Sequence, residues 1–140
     1  MKFVIDSNLL ISALISDSVT RELILEMEEE FYSPDFLESE IEKHKDLIQE
    51  KSDLSSTELD SLLTILIENI FVAAEETYEN KINIADEAIG DTDKKDVPFL
   101  ALALEKDAAI WSDDRHFEDQ DKVEVWKTED MVTEFFEKDS

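Results

Sequence analysis

The chain has no cysteine and a single glycine, Gly90, among 140 residues. The first absence removes disulfides, thiolate nucleophiles and Cys-bearing zinc sites together, and it fits a reducing cytoplasm, the expected location. The second excludes phosphate-cradling loops of the P-loop and dinucleotide types, which need several glycines where backbone approaches phosphate. Any phosphate chemistry must therefore use side chains and metal. Basic residues are also scarce: 13 Lys plus Arg against 38 Asp plus Glu leave a net charge of −25. Nonspecific attachment to nucleic acid is disfavoured, because it draws on basic side chains that displace phosphate counterions. An acidic catalytic cleft, a surface for a basic partner and a solvated coat suited to a salt-rich cytoplasm all fit this charge. Most of the acids are expected to be coat. No apolar run approaches the roughly 18 residues of a membrane span. The opening MKFVIDSNLLISALI is interrupted by Asp6 and Asn8, so no export signal is expected there either.

What is present reads as strands alternating with helices. Lys2 to Ile5 is an apolar burst that runs through Asp6-Ser7-Asn8 into LLISALI, a buried strand passing directly into a helix. A second helix is expected from Ser18 to Glu30 and a brief strand from Phe31 to Ser33. Pro34 then opens a third helix, because proline is tolerated in a first turn and Phe36, Leu37, Ile41, His44 and Ile48 recur on one face. Ser55 and Glu58 have capping-box spacing for a helix to about Asn69. Ile70 to Ala73 reads as a strand, Glu75 to Ile89 as an acidic helix irregular around Asn80 and Asn83, and Gly90 to Asp93 as a turn. An almost wholly apolar helix, Val97 to Leu104, precedes a buried strand, Ala108 to Trp111. Val123 to Trp126 makes a last strand and Thr128 to Lys138 a closing helix. This order predicts the α/β class: a single three-layer domain over residues 1–140, with a small parallel sheet of about four to five strands flanked by helices. A chain of this length can bury roughly two thirds of its unfolded surface.

In open parallel sheets, active sites lie beyond the carboxyl ends of the strands. Asp6 follows the first strand, and Asp113 and Asp114 follow the fourth. Asp96 stands at a helix start. Glu40 shares the apolar stripe of the third helix, four residues from Phe36, where an acid costs free energy unless paired or metal-bound. Two carboxylates about 5 Å apart repel by roughly 3 kcal/mol at an effective dielectric near 20, so a converging set needs a cation or must bind protons. Oxygen-only ligation suits Mg²⁺ or Mn²⁺, whereas zinc normally recruits His or Cys. Each residue also has a plainer use. Asp6 or Asn8 can cap the following helix, Asp96 can cap the helix that Pro98 enters, Asp93 suits a turn or cap, and Glu40 can pair with a lysine. Asp113 and Asp114 compete for one inward place, since successive residues leaving a strand point oppositely. His44 and His116 read as packing or surface residues.

The whole set, in order, resembles a PIN domain. The motifs are D-x-N at Asp6-Ser7-Asn8, S-P-x-F-L-x-x-E-I-x-K-H from Ser33 to His44, D-x-x-D-V-P-F-L-A-L-A-L from Asp93 to Leu104, and I-W-S-x-D-x-x-F from Ile110 to Phe117. The resemblance implies a catalytic, metal-holding set of Asp6, Glu40, Asp96 and Asp114, with Asn8 and Ser112 as polar support and Asp93 as an additional acid. It also selects Asp114 over Asp113. PIN domains of this kind are typically Mg²⁺- or Mn²⁺-dependent single-strand ribonucleases, many of them toxins of toxin–antitoxin pairs and often homodimers. RNA, a cognate antitoxin and a second copy of the chain are thus the implied partners, with no membrane. The implied reaction is hydrolysis of an RNA phosphodiester by metal-activated water, Glu40 being a ligand or an orienter of that water. This chain departs from the pattern in having few basic side chains near the acids: Lys94, Lys95, Arg115 and Lys43. Arg115 is the candidate phosphate contact. A second reading keeps the fold without catalysis and uses the acidic surface to bind a basic partner. A third, cleavage of structured RNA or DNA flaps, lacks a basic arm to grip a duplex.

The charge carries a prediction of its own. Salt screens self-repulsion, so the melting temperature is expected to rise between low and molar KCl. A flat or falling series would remove the salt-adapted explanation of the acidic coat.

Overall fold

Val4 is apolar and so are both its neighbours, Phe3 and Ile5, the pattern of a parallel strand covered on both faces. The computed structural model describes residues 1–15 and 18–137. In it β1 (Lys2–Ile5) lies in the middle of a five-stranded sheet with β2 (Glu30–Pro34), β3 (Ile70–Ala73), β4 (Ala109–Trp111) and β5 (Val125–Trp126), in the order β3-β2-β1-β4-β5. Every pairing is parallel. Alternation along the strands sends Phe3, Ile5, Phe31 and Trp111 to one face and Val4 and Ile110 to the other.

The first face is covered by α1 (Ser7–Ile15), α2 (Ser18–Glu26), α3 (Leu37–Lys43), α4 (Lys45–Ser52) and α5 (Ser56–Ile67), which bury Leu10, Leu14, Leu23, Ile41, Ile48 and Leu59. The second is covered by α6 (Glu75–Tyr78), α7 (Ile82–Ile89) and α8 (Val97–Lys106), with Ala85, Ile89 and Phe99 to Ala103 buried. This is the three-layer α/β arrangement expected. Among the described residues no helix is long and apolar enough to cross a membrane.

Several boundaries differ from expectation. The second helix ends at Glu26 rather than Glu30. Its continuation, Met27-Glu28-Glu29-Glu30, would place acids at the negative end of the helix dipole, and Glu30 instead joins the sheet, donating its N–H to Met1 O at 3.2 Å. Pro34 closes β2 instead of opening a helix. The β1 ladder has already ended opposite Tyr32, so a missing N–H is tolerated there. The expected third helix divides at His44 into α3 and α4, the His44 N–H bonding Ile41 O at 3.0 Å. The irregularity expected near Asn80 is a 3₁₀ turn, Glu79–Lys81. The last strand shortens to Val125–Trp126, and the closing helix is a turn of α9 (Thr128–Met131) followed by a π-helical stretch, Val132–Glu137. Its expected end at Lys138 lies outside the described residues.

The capping box forms as expected: Glu58 N–H donates to Ser55 Oγ at 3.1 Å, and Ser55 N–H donates to Glu58 Oε1 at 3.2 Å. Ser55→Ala should therefore lower stability by about 1 kcal/mol, measured by urea denaturation. No measurable loss would show that α5 is held by its buried face alone.

Candidate metal centre

Strands β1 and β4 are neighbours, and each is followed by an acid. The ladder continues one residue past β1, because Asp6 N–H donates to Trp111 O at 3.1 Å. Asp6 is thereby held at the carboxyl edge of the sheet, with 4% of its surface exposed. Its Oδ1 accepts the Asn8 N–H at 3.3 Å, the capping role the plainer reading gave it. Its Oδ2 accepts the hydroxyl of fully buried Ser112 at 2.8 Å, and Ser112 Oγ in turn accepts the Asp114 N–H at 3.0 Å. One hydroxyl thus links the acids that follow the two strands.

Asp113 and Asp114 separate as strand geometry requires. Asp113 turns outward and accepts the Thr128 N–H and O–H, both at 2.8 Å. Asp114 stays at the cleft, where its Oδ1 accepts the His116 N–H at 3.0 Å. Asp96 arrives from the start of α8. It occupies the cap position but makes no side-chain cap hydrogen bond, so the capping alternative is not realised. With 8% exposure it is held by a helix whose next turns, Phe99 to Ala103, are locked in the core. Asp93 does act as a cap, accepting the Lys95 N–H at 2.8 Å.

Glu40 is carried to the same cleft by aromatic packing. Phe36 meets Phe99 edge-on at 5.3 Å, docking the entry to α3 against α8, and Phe99 meets Phe117 at 6.5 Å. The resulting cleft, of roughly 670 Å³, is lined by Asp6, Asn8, Glu40, Asp93, Asp96 and Asp114. Glu40 stands at the rim with its side chain 26% exposed and pairs with Lys43 at 3.4 Å, as the plainer reading allowed. Arg115 is exposed and does not line this cleft; Lys43, Lys95 and His44 do.

His116 is where the structure departs most from the reading of the sequence. Its side chain is 45% exposed, yet Nδ1 lies 3.3 Å from Asp96 Oδ2, 3.4 Å from Asp114 Oδ1 and 3.5 Å from Asp93 Oδ2. A surface histidine has become the meeting point of three carboxylates. It lies two residues after Asp114, in a 3₁₀ turn (Arg115–Asp119) that folds back over the acid it follows, a turn that nothing in the sequence marks.

The carboxylates pay electrostatically for this convergence. Burial, then the charges of Asp93 and Asp6, raise the Asp96 carboxyl from 3.8 to about 6, with His116 acting in the opposite direction. Burial also raises Asp6, against the hydrogen bonds from Ser112 and Asn8. Asp114 and then Asp96 raise His116. Asp93, Asp96 and His116 each offer a ligand atom, all within 4.8 Å of one another. A site that draws protons in this way, with oxygen and nitrogen donors on several elements, suits a divalent cation.

The direction of the Asp96 shift makes a prediction about stability. Between about pH 4 and 6 the folded chain holds a proton there that the unfolded chain has released, so stability falls as pH rises through that window and the penalty is complete above it. In EDTA at about pH 7.5, Asp96→Asn should be more stable than the parent by about 1 to 3 kcal/mol and should lack that part of the slope. A variant less stable than the parent in urea titrations would contradict this.

Comparison with known proteins bears on the fold and the family. A family model described as PIN domain matches residues 4–136. No curated protein sequence matches. Among solved structures, the chain is similar to one from the crystal structure of VapBC2 from Rickettsia felis bound to a DNA fragment from their promoter. The TM-score is 0.63 and the identity 13%, over 91% of this chain and 98% of that one. At that identity the likeness speaks for the fold, and the family assignment rests on the sequence match across nearly the whole length: the chain belongs to the PIN domain family.

Proposed function

We propose that this protein is a metal-dependent endoribonuclease that hydrolyses phosphodiesters of single-stranded RNA, acting in the cytoplasm as the toxin of a toxin–antitoxin pair. The observation that carries the reading is the convergence of Asp6, Asp96 and Asp114, from three separate segments, in one cleft with Glu40. Membership of a family of nucleases supports the reaction class. The similarity to a chain of the VapBC2 structure supports a cognate antitoxin as partner. A homodimer is part of the same proposal.

In this reading Asp6, Asp96 and Asp114 hold Mg²⁺ or Mn²⁺, with Glu40 as a further ligand or as the group that orients water. A divalent ion bound there supplies an activated water at neutral pH and stabilises charge developing on the phosphate. The chain's own residues set the geometry. Ser112 fixes Asp6 relative to Asp114, Asn8 fixes the second oxygen of Asp6, and the Phe36–Phe99 contact delivers Glu40. Lys43 and Lys95 on the cleft wall are the first candidates to meet phosphates, and Arg115, exposed beside Asp114, is proposed as an outer contact. So few cations imply that affinity for RNA is modest and falls only shallowly with salt, because the salt slope scales with the number of phosphates neutralised.

The net charge of −25 favours a second reading, a PIN-fold module that binds a basic partner without catalysis. Cleavage assays with Mn²⁺ separate the two. Single-stranded RNA should be cut, and Asp6→Asn or Asp96→Asn should reduce the rate by about two orders of magnitude or more. No cleavage by the parent across a range of salt would end the ribonuclease reading, while full activity in both variants would move the site elsewhere.

A further inference from the structure

We infer that His116 is a metal ligand of this centre through Nδ1, making it a mixed nitrogen and oxygen site that is tilted from Mg²⁺ toward Mn²⁺, Co²⁺ and Zn²⁺. The inference rests on the metal-dependent reading above and goes beyond it, since the acidic set alone is an oxygen-only site.

Three carboxylate oxygens surround one imidazole nitrogen at 3.3, 3.4 and 3.5 Å, and they come from different places: Asp96 at the start of α8, Asp114 after β4, and Asp93 in the turn before α8. These nitrogen-to-oxygen separations match those of neighbouring ligands around one ion, and the ligand atoms of Asp93, Asp96 and His116 all lie within 4.8 Å of one another. Four ligands at about 2.1 Å from a metal lie about 3.4 Å apart, and six at the same distance have nearest neighbours about 3.0 Å apart. The imidazole is also delivered by a fixed backbone. His116 N–H is bonded to Asp114 Oδ1 at 3.0 Å, and the next residue, Phe117, is fully buried against Phe99. The turn that positions the acid therefore positions the nitrogen as well.

Donor chemistry then sets the preference. Mg²⁺ favours oxygen in near-octahedral array and keeps several waters, so a nitrogen ligand adds little to its binding. Affinity for later first-row ions rises along the Mn, Co and Zn series and is strengthened by imidazole. The alternative is that protonated His116 merely occupies the place of a cation. That makes the opposite prediction, because removing a competing charge strengthens Mg²⁺ binding.

The test uses the full chain and the metals alone. Calorimetry with Mg²⁺, Mn²⁺ and Zn²⁺ should show His116→Ala weakening Mn²⁺ and Zn²⁺ by about tenfold or more while changing Mg²⁺ by less than about threefold. Electron spin echo spectra of the Mn²⁺-loaded parent should show modulation from a directly bound ¹⁴N, lost in His116→Gln. The parent spectrum needs no variant to fold. Mn²⁺ binding that is sensitive to Asp6→Asn but shows no ¹⁴N modulation, or Mg²⁺ binding tightened by His116→Ala, would overturn the ligand assignment and leave the ribonuclease reading standing. No divalent binding at all would overturn both.

Discussion

The Ser112 hydroxyl is the constraint on which the site depends. It donates to Asp6 Oδ2 and accepts from the Asp114 backbone, so the acids after β1 and β4 are tied together by a group with no exposure to water. Parallel register brings the two strand ends level, with Ile5 opposite Trp111, and the hydroxyl converts that level pairing into a fixed spacing of carboxylates. A buried hydroxyl with both roles satisfied adds no desolvation penalty of its own.

Around this link, packing and electrostatics act in opposite directions. The apolar body of α8 and the Phe36, Phe99 and Phe117 row draw Asp96 and Glu40 toward Asp6 and press the His116 turn against them. Burial of the Asp96 carboxyl raises the cost of its charge and, with the charges of Asp93 and Asp6, pushes it up to about 6. The fold thus holds together a cluster that resists being held, and a cation is the natural means of relieving it. The surface shows the same imbalance on a larger scale: the few lysines at the cleft must act against the field of a strongly acidic protein.

Much of this is legible in the amino-acid sequence. The strands around Val4 and Ile110 could be read because both faces are buried, and Asp6, Asp96 and Asp114 because they follow or precede such elements directly. Ser55 and Glu58 were legible as a purely local device. The break at His44 was not, because no glycine or proline marks it and apolar residues lie on both sides. His116 was illegible for a different reason. Its importance comes from Asp93 and Asp96, about twenty residues earlier, and a lone histidine beside an acid has no periodicity to reveal which way it points. The identity of the cleft-facing lysines was equally a matter of tertiary position, since Arg115 adjoins Asp114 in sequence and yet does not line the cleft.

The central claim is that these carboxylates exist to hold a divalent cation at the carboxyl edge of the sheet. Anomalous diffraction from a crystal soaked in Mn²⁺ tests it most directly. The account predicts a strong peak in the cleft bounded by Asp6, Asp96 and Asp114. Ordered Mn²⁺ elsewhere on the surface with no peak at these three acids would contradict it.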